Sequence, residues 1–221
     1  FQALAFSPDS SLLAIGLKPK DNGATGSLQT LHIHDLRQNV EIETPPISVE
    51  INCLDFSSDG RLLAFGDGEN QVRILALGSK VAPRRFVGHR ARVVRVRFSP
   101  DGSRLLGGAW DGWVRMWNVQ TGRELFSIEV DRHPIQGAAF TPDGKRFIIG
   151  TDGQLLPVYD TESGEELFRL TGHPRGIYDV VISPDGSRIA TAGGHDHTVR
   201  VWGIEAARPA RVLARHRQRH P

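Results

Sequence analysis

The chain has 221 residues, 39% of them hydrophobic, 7% aromatic and 24% charged, with a formal net charge of +2. That is enough apolar content for a core, while no run is long and apolar enough to cross a bilayer as a helix. Cys53 is the single cysteine, which excludes an internal disulfide, fits a reducing compartment and leads us to expect a cytoplasmic location.

Charge is unevenly spread. Residues 1–79 carry ten acidic and five basic side chains, and residues 80–221 carry fifteen and twenty-two. Residues 80–104 set eight basic groups against Asp101 alone, and residues 208–221 hold five arginines and no acid. Segregation of this kind makes either solvated faces or a field that steers a partner.

Taken from the N-terminus, one phrase keeps returning. Phe6-Ser7-Pro8-Asp9-Ser10, Phe56-Ser57-Ser58-Asp59-Gly60, Phe98-Ser99-Pro100-Asp101-Gly102, Phe140-Thr141-Pro142-Asp143-Gly144 and Ile182-Ser183-Pro184-Asp185-Gly186 are spaced 50, 42, 42 and 42 residues apart. Each phrase closes a short apolar run with turn chemistry: proline presets one dihedral, and aspartate and glycine accept conformations that other residues resist. The first unit (approximately 1–48) starts inside a strand at Phe1, carries a long turn from Lys18 to Gln29 and ends on Ile33-His34-Asp35. The second (49–90) alternates through Ile51–Phe56 and ends on Ile74-Leu75-Ala76.

The third (91–132) is the cleanest. Strands are expected at Arg92–Phe98, Arg104–Ala109, Trp113–Trp117 and Glu124–Val130, with turns at Pro100-Asp101-Gly102, Asp111-Gly112 and Thr121-Gly122. The fourth (133–174) ends on Val158-Tyr159-Asp160 and the fifth (175–216) on Val201-Trp202-Gly203, leaving a basic tail at 217–221. Short strands at regular spacing, glycine-bearing turns and no helical period predict an all-β protein of about five four-stranded antiparallel units. One unit cannot bury its own apolar face, so the units must stack.

Gly88-His89 and Gly172-His173 open two units, and third-strand endings such as Met116-Trp117-Asn118, Val158-Tyr159-Asp160 and Val201-Trp202-Gly203 are variants of Val-Trp-Asp. On these residues the chain resembles the WD40-repeat family, with a phrase similar to that of bacterial members. The resemblance covers essentially the whole chain and implies a β-propeller of four-stranded blades. It also implies a buried relay from the opening histidine through a Ser or Thr and a turn Asp to the Trp. By position the fifth unit offers His173, Thr191, Asp196 and Trp202, provided a bulge at Gly193-Gly194 absorbs one residue. The third offers His89, Asp111 and Trp117, with Gly107 where the hydroxyl belongs. The fourth places Asp131 in the histidine slot and Tyr159 in the tryptophan slot, and the second has Ile47, Glu69 and Leu75. His216 falls in the opening slot of a further unit, and we expect these residues to be a piece of a longer chain.

Catalysis finds little support. Cys53 lies on an alternating strand and reads as a core residue, and the pairs His32/His34 and His195/His197 lack further ligands for a metal. Gly107-Gly108 and Gly193-Gly194 precede strands, not the helix a phosphate loop requires. Glu165-Glu166 reads as a solvated outer strand. We therefore expect no enzyme, no cofactor, no metal, no small-molecule substrate and no membrane partner.

By the resemblance, loops opening the first strands and joining the second and third strands form a partner-binding rim. Its positions are Gln2, Asn52, Val94, Gln136 and Tyr178, with Trp110 and His195 before the turn aspartates. Arg92 and Arg175 lie beside them, and Trp113 reads as packing. Exposed aromatic and arginine side chains make interface anchors. The expected function is a non-catalytic protein or peptide scaffold. Two alternatives are a nucleic-acid or polyanion binder using the arginines at 84–97 and 208–219, and a regulatory segment of a larger bacterial kinase or hydrolase. Twenty-three arginines against four lysines suggest a bacterial source.

Overall fold

The computed structural model describes residues 3–19, 29–194 and 196–204, and the backbone of 209–215. Among them are twenty strands in five antiparallel sheets of four. The first sheet is β1 (Ala3–Phe6), β2 (Leu12–Gly16), β3 (Leu31–Asp35) and β4 (Val40–Ile42), and the second is β5 (Ile51–Phe56), β6 (Leu62–Asp67), β7 (Val72–Ala76) and β8 (Arg84–Phe86). The third is β9 (Val93–Phe98), β10 (Arg104–Ala109), β11 (Trp113–Asn118) and β12 (Glu124–Glu129). The fourth is β13 (Ile135–Phe140), β14 (Arg146–Thr151), β15 (Leu155–Asp160) and β16 (Glu166–Thr171), and the fifth is β17 (Ile177–Ile182), β18 (Arg188–Gly193), β19 (Thr198–Gly203) and β20 (Pro209–Arg215). Within every sheet spatial order follows chain order. The all-β, five-sheet expectation holds, and the fold is that of a WD40-like β-propeller segment.

The repeated phrase forms the same clasp five times. The hydroxyl of Ser7, Ser57, Ser99, Thr141 or Ser183 donates to the aspartate two residues on, at 2.5–2.7 Å. The same oxygen accepts the N–H of Leu12, Leu62, Arg104, Arg146 or Arg188 at 2.9–3.0 Å. Each aspartate in turn accepts the N–H two residues further on. The hydroxyl therefore ties the end of a first strand to the start of the second. Gly60, Gly102, Gly144 and Gly186 close these turns at φ 69–71°, where a side chain is strained, and Ser10 occupies the same place at φ 58°.

By packing, the chain divides into two compact units, Phe1–Ala109 with Arg115–Leu125 and Trp110–Val114 with Phe126–Pro221. In the first unit, Ala14, Leu31 and Ile33 of the first sheet pack with Ile51, Leu54, Phe56, Leu63 and Leu75 of the second. Cys53, Ala64, Val72 and Phe86 of the second sheet pack with Val93, Val96, Phe98, Leu105 and Trp117. In the second unit, Ile148, Leu156, Val158 and Leu170 pack with Ile177, Val180, Ile189 and Trp202. Alternate residues of the first strands β5, β9 and β17 thus face the preceding sheet, as the pleat requires.

Candidate functional site: the rim and its supporting relay

The structure brings four of the named residues together in the fifth sheet. Trp202 Nε1–H donates to Thr191 Oγ1 at 2.9 Å, Thr191 Oγ1 lies 2.7 Å from His173 Nε2, and His173 Nδ1 lies 2.8 Å from Asp196 Oδ2. Indole only donates and carboxylate only accepts, so the Thr191 oxygen receives the Trp202 N–H and His173 Nδ1 carries the proton it shares with Asp196. Asp196 also accepts the Thr198 N–H at 3.1 Å and has Arg200 at 3.7 Å. Burial opposes its charge, but the hydrogen bonds from His173 and Thr198 outweigh that and hold its carboxyl below the usual range. His173, Thr191 and Trp202 are buried, so this network pins the rim turn to the sheet interior.

The other sheets solve the same position differently. In the third, His89 meets Trp117 edge to face at 5.8 Å. A Cβ on Gly107 would stand 2.8 Å from Trp117 and 3.0 Å from His89 Nε2, so the indole fills the room a hydroxyl side chain would need. Asp111 accepts the Trp113 N–H at 3.0 Å. In the fourth, Asp131 accepts from Thr151 Oγ1 at 3.5 Å and pairs with His133 at 3.0 Å, while Tyr159 stacks on Phe147 at 5.0 Å. Burial, followed by the nearby Glu166 carboxylate, pushes the Tyr159 hydroxyl up to about 12.

The second sheet has a device that the relay pattern does not predict. Asp67, fully buried, accepts from Arg73 Nε at 2.5 Å and from the N–H groups of Glu69 and Gln71, while Arg73 also reaches Glu69 at 2.6 Å. The signal was available as an Asp and an Arg six residues apart across a turn.

Rim residues owe their placement to bulges. Register slips by one residue at Ile51/Cys53, Ile135/Gly137 and Ile177/Asp179 leave Asn52, Gln136 and Tyr178 as the extra residues of β5, β13 and β17. Opposite a similar slip at Gly108/Ala109 lies Val94 of β9. A bulge re-aims one side chain out of the pleat: Asn52 and Gln136 are half-buried and Tyr178 is exposed, whereas Val94 is buried and does not present itself on the rim. In the fifth sheet Thr191 and Ala192 stay in register with Arg200 and Val199, and Tyr178 is the same first-strand bulge that Asn52 and Gln136 make in their sheets.

Tyr178 is 43% exposed with its ring lying over Gly194, and Trp110 is 49% exposed. Arg175 and His133 border a cleft of about 570 Å³ also lined by Asp131, Asp152, Gln154 and Pro174, with Gln154 Nε2 donating to the Pro174 carbonyl at 2.9 Å. Arg92 and Asn52 are engaged with each other: Arg92 Nε donates to Asn52 Oδ1 at 2.8 Å and its other nitrogen to Glu50 at 2.6 Å, while Asn52 Nδ2 donates to the Asp67 carbonyl at 3.1 Å. They brace the rim more than they offer it. Trp113 is half-buried. Gln2, His195 and the arginines at 208, 217 and 219 lie outside the described residues, as do the side chains of Arg211 and Arg215.

Cys53 is buried, and desolvation pushes its thiol up to about 12, leaving no thiolate for chemistry. His32 pairs with Glu41 at 2.6 Å, and Glu165 and Glu166 are exposed at the start of the outer strand, where Glu166 accepts from Arg169 at 2.7 Å. Among the described residues no group of three or more metal-ligating side chains converges. No helix among them is long and apolar enough to cross a membrane.

Residues 44–74, 81–118 and 164–203 match the family model described as WD domain, G-beta repeat. The guanine nucleotide-binding protein subunit beta-5b of Danio rerio is 34% identical over 93 residues, 40% of this chain and 23% of that protein. The apoptotic protease-activating factor 1 of Mus musculus is 30% identical over 77 residues, 35% of this chain and 6% of that protein. A chain in the crystal structure of the mitotic checkpoint complex superposes with a TM-score of 0.84 at 19% identity, covering 96% of this chain and 65% of its own length. The chain spans 6–27% of the curated relatives it matches.

Proposed function

We propose that this WD40-like segment is a non-catalytic scaffold that binds a protein or peptide through the rim of its sheets, in the cytoplasm. The observation that carries the reading is Tyr178: a large aromatic side chain, 43% exposed, on a bulge that points it out of the sheet, beside a turn braced by the buried relay. Rigid placement lowers the entropy lost on binding, and an aromatic ring contributes much buried area for few rotamers. Exposed Trp110 supplies a second anchor, with Gln136 and Arg175 as polar rim. The sequence relatives and the structural neighbour, whose names place them in a G protein and in a checkpoint complex, support protein partners over small molecules. A bacterial source belongs to the same proposal and rests on the arginine-rich composition, while a regulatory role within a larger bacterial kinase or hydrolase is a separate alternative.

Tyr178→Ala and Trp110→Ala, introduced into the protein, should each weaken capture of partners from a lysate of the source organism by roughly 30-fold or more, the cost of a hot-spot truncation. Thermal unfolding should stay within about 0.5 kcal/mol of the parent. Unchanged capture by the double variant would remove the rim reading.

A further inference from the structure

The fourth and fifth sheets treat the histidine of their opening loop differently. In the fifth, His173 is buried and holds Asp196 of the rim turn. In the fourth, Asp131 takes the histidine slot, and an imidazole stands two residues later as His133, exposed. With Tyr159 in the tryptophan slot, no indole competes for the Thr151 hydroxyl, whose oxygen accepts the Gly153 N–H at 3.1 Å and which reaches Asp131. The imidazole that closes the fifth sheet from within is here at the surface, and among the described residues the one partner of its ring is Asp131.

His133 lines the cleft of about 570 Å³, a size that suits a short stretch of peptide side chains. Three loops of one packing unit build it, and they are tied to one another. The Asp152 N–H donates to the Pro134 carbonyl at 3.1 Å, and Gln154 Nε2 donates to the Pro174 carbonyl at 2.9 Å. A Cβ on Gly153 would stand 2.4 Å from Asp131 Oδ2, so glycine is what lets these loops approach. The charges around the cleft differ in availability. One oxygen of Asp131 accepts the Arg132 N–H at 2.6 Å, and the other is engaged by His133 and Thr151. Asp152 has one carboxylate oxygen sealed from solvent. Arg175 is exposed, and its guanidinium makes no hydrogen bond or ion pair with any described residue. What the cleft offers a ligand is therefore a guanidinium with its donors free and an imidazole held at one nitrogen.

We propose that this cleft seats an acidic side chain of the partner, the carboxylate of an aspartate or glutamate, gripped by Arg175 and His133. The proposal rests on the rim reading and names the chemistry of its ligand. A guanidinium presents paired N–H groups that match the two oxygens of a carboxylate. His133 completes the grip by donating from Nε2 while Nδ1 donates to Asp131, which requires the doubly protonated ring. Binding therefore takes up a proton, and the ring then lies between two carboxylates, with Asp152 and Arg175 the other charged groups lining the cleft. A cationic side chain would instead meet the free Arg175 and an Asp131 already occupied by three donors.

Random peptides displayed on phage, selected on the whole protein and on its Arg175→Gln, His133→Gln and Tyr178→Ala variants, test this. Arg175 and His133 are exposed, so their variants should fold as the parent does. Peptides selected on the parent should share an acidic residue at a fixed distance from an apolar one. Exchanging that acid for its amide in a synthetic peptide should weaken binding by about tenfold or more, as should Arg175→Gln. The two losses should not add, because each removes the same contact. Affinity should fall by about threefold from about pH 6 to about pH 8, and His133→Gln should abolish that dependence. Peptides that share a lysine or arginine instead, peptides with no shared acidic position, or an acid preference untouched by Arg175→Gln would overturn the proposal. If Tyr178→Ala abolishes selection in any of those cases, the rim reading stands without the cleft. An acid preference that survives Tyr178→Ala undiminished would remove the aromatic anchor and keep the cleft.

Discussion

Thr191 is the centre of a four-member chain in which each polar atom has one role. Its hydroxyl receives the Trp202 N–H and serves His173, which in turn holds Asp196. Thr191→Val keeps shape and deletes the oxygen, leaving a buried indole N–H and a buried imidazole nitrogen without it. Stability should fall by roughly 1–3 kcal/mol in urea unfolding, more than shape alone predicts. A change under about 0.5 kcal/mol would mean the relay carries no net free energy. Asp55 shows the opposite electrostatic balance. Desolvation raises its carboxyl to about 6, against the pull of Arg97 and the Phe98 N–H, from an ordinary value of 3.8. Between those values the folded chain holds a proton the unfolded chain has released, so stability falls as pH rises from 4 to 6. Hydroxyl and backbone hydrogen bonds lower Asp9 and Asp185 to about 2, so their contribution is lost only at more acid pH and does not mask this window. Asp55→Asn retains an acceptor for Phe98 and should flatten the slope, worth up to roughly 3 kcal/mol. An unchanged slope in denaturant midpoints across that range would refute the assignment.

At the scale of elements, the turn after each first strand carries the most information, because its chemistry is local. Pro-Asp-Gly and its variants place the strand boundaries of the third sheet within a residue of the observed ones, as β9 and β12 show. The serine or threonine at the head of each phrase was legible as a turn residue, whereas its role as a clasp on the second strand depends on pairing that sequence does not display. Ser10 tests the turn. It adopts φ 58° where four sister turns use glycine, so Ser10→Gly should relieve more strain than it adds unfolded-chain entropy. The net gain should be about 0.5 kcal/mol in thermal unfolding, and a loss would show that its side chain compensates. Bulges were the harder feature. The first-strand bulges put Asn52, Gln136 and Tyr178, none of them a glycine, at the extra position, and only hydrogen-bond register displays them. The Asp67–Arg73 pair lies outside the relay pattern for another reason: a buried ion pair closes the same turn with different side chains.

For the whole molecule, the segregated charge poses the choice between a protein and a polyanion partner. Eight basic groups in residues 80–104 would suit phosphate, but the structure commits several of them internally. Arg84 donates to the carbonyls of Val119, Gln120 and Thr121, Arg92 is held by Glu50 and Asn52, and Arg97 lies 3.9 Å from Asp55. A guanidinium already satisfied by carbonyls and carboxylates must break those bonds to reach a phosphate, and the acidic first seventy-nine residues add a repulsive field. Binding of a single-stranded oligonucleotide, followed by anisotropy against salt, should therefore be weak. Its slope of log K on log salt should be near about −2, not the roughly −5 to −6 that eight phosphate contacts would give. Charge reversal at Arg84, Arg85, Arg90 and Arg92 should then change oligonucleotide binding little, while Tyr178→Ala and Trp110→Ala govern protein capture. A slope near the steeper value, abolished by the arginine reversals and indifferent to the aromatic ones, would make the basic strip the functional surface and the rim its scaffold.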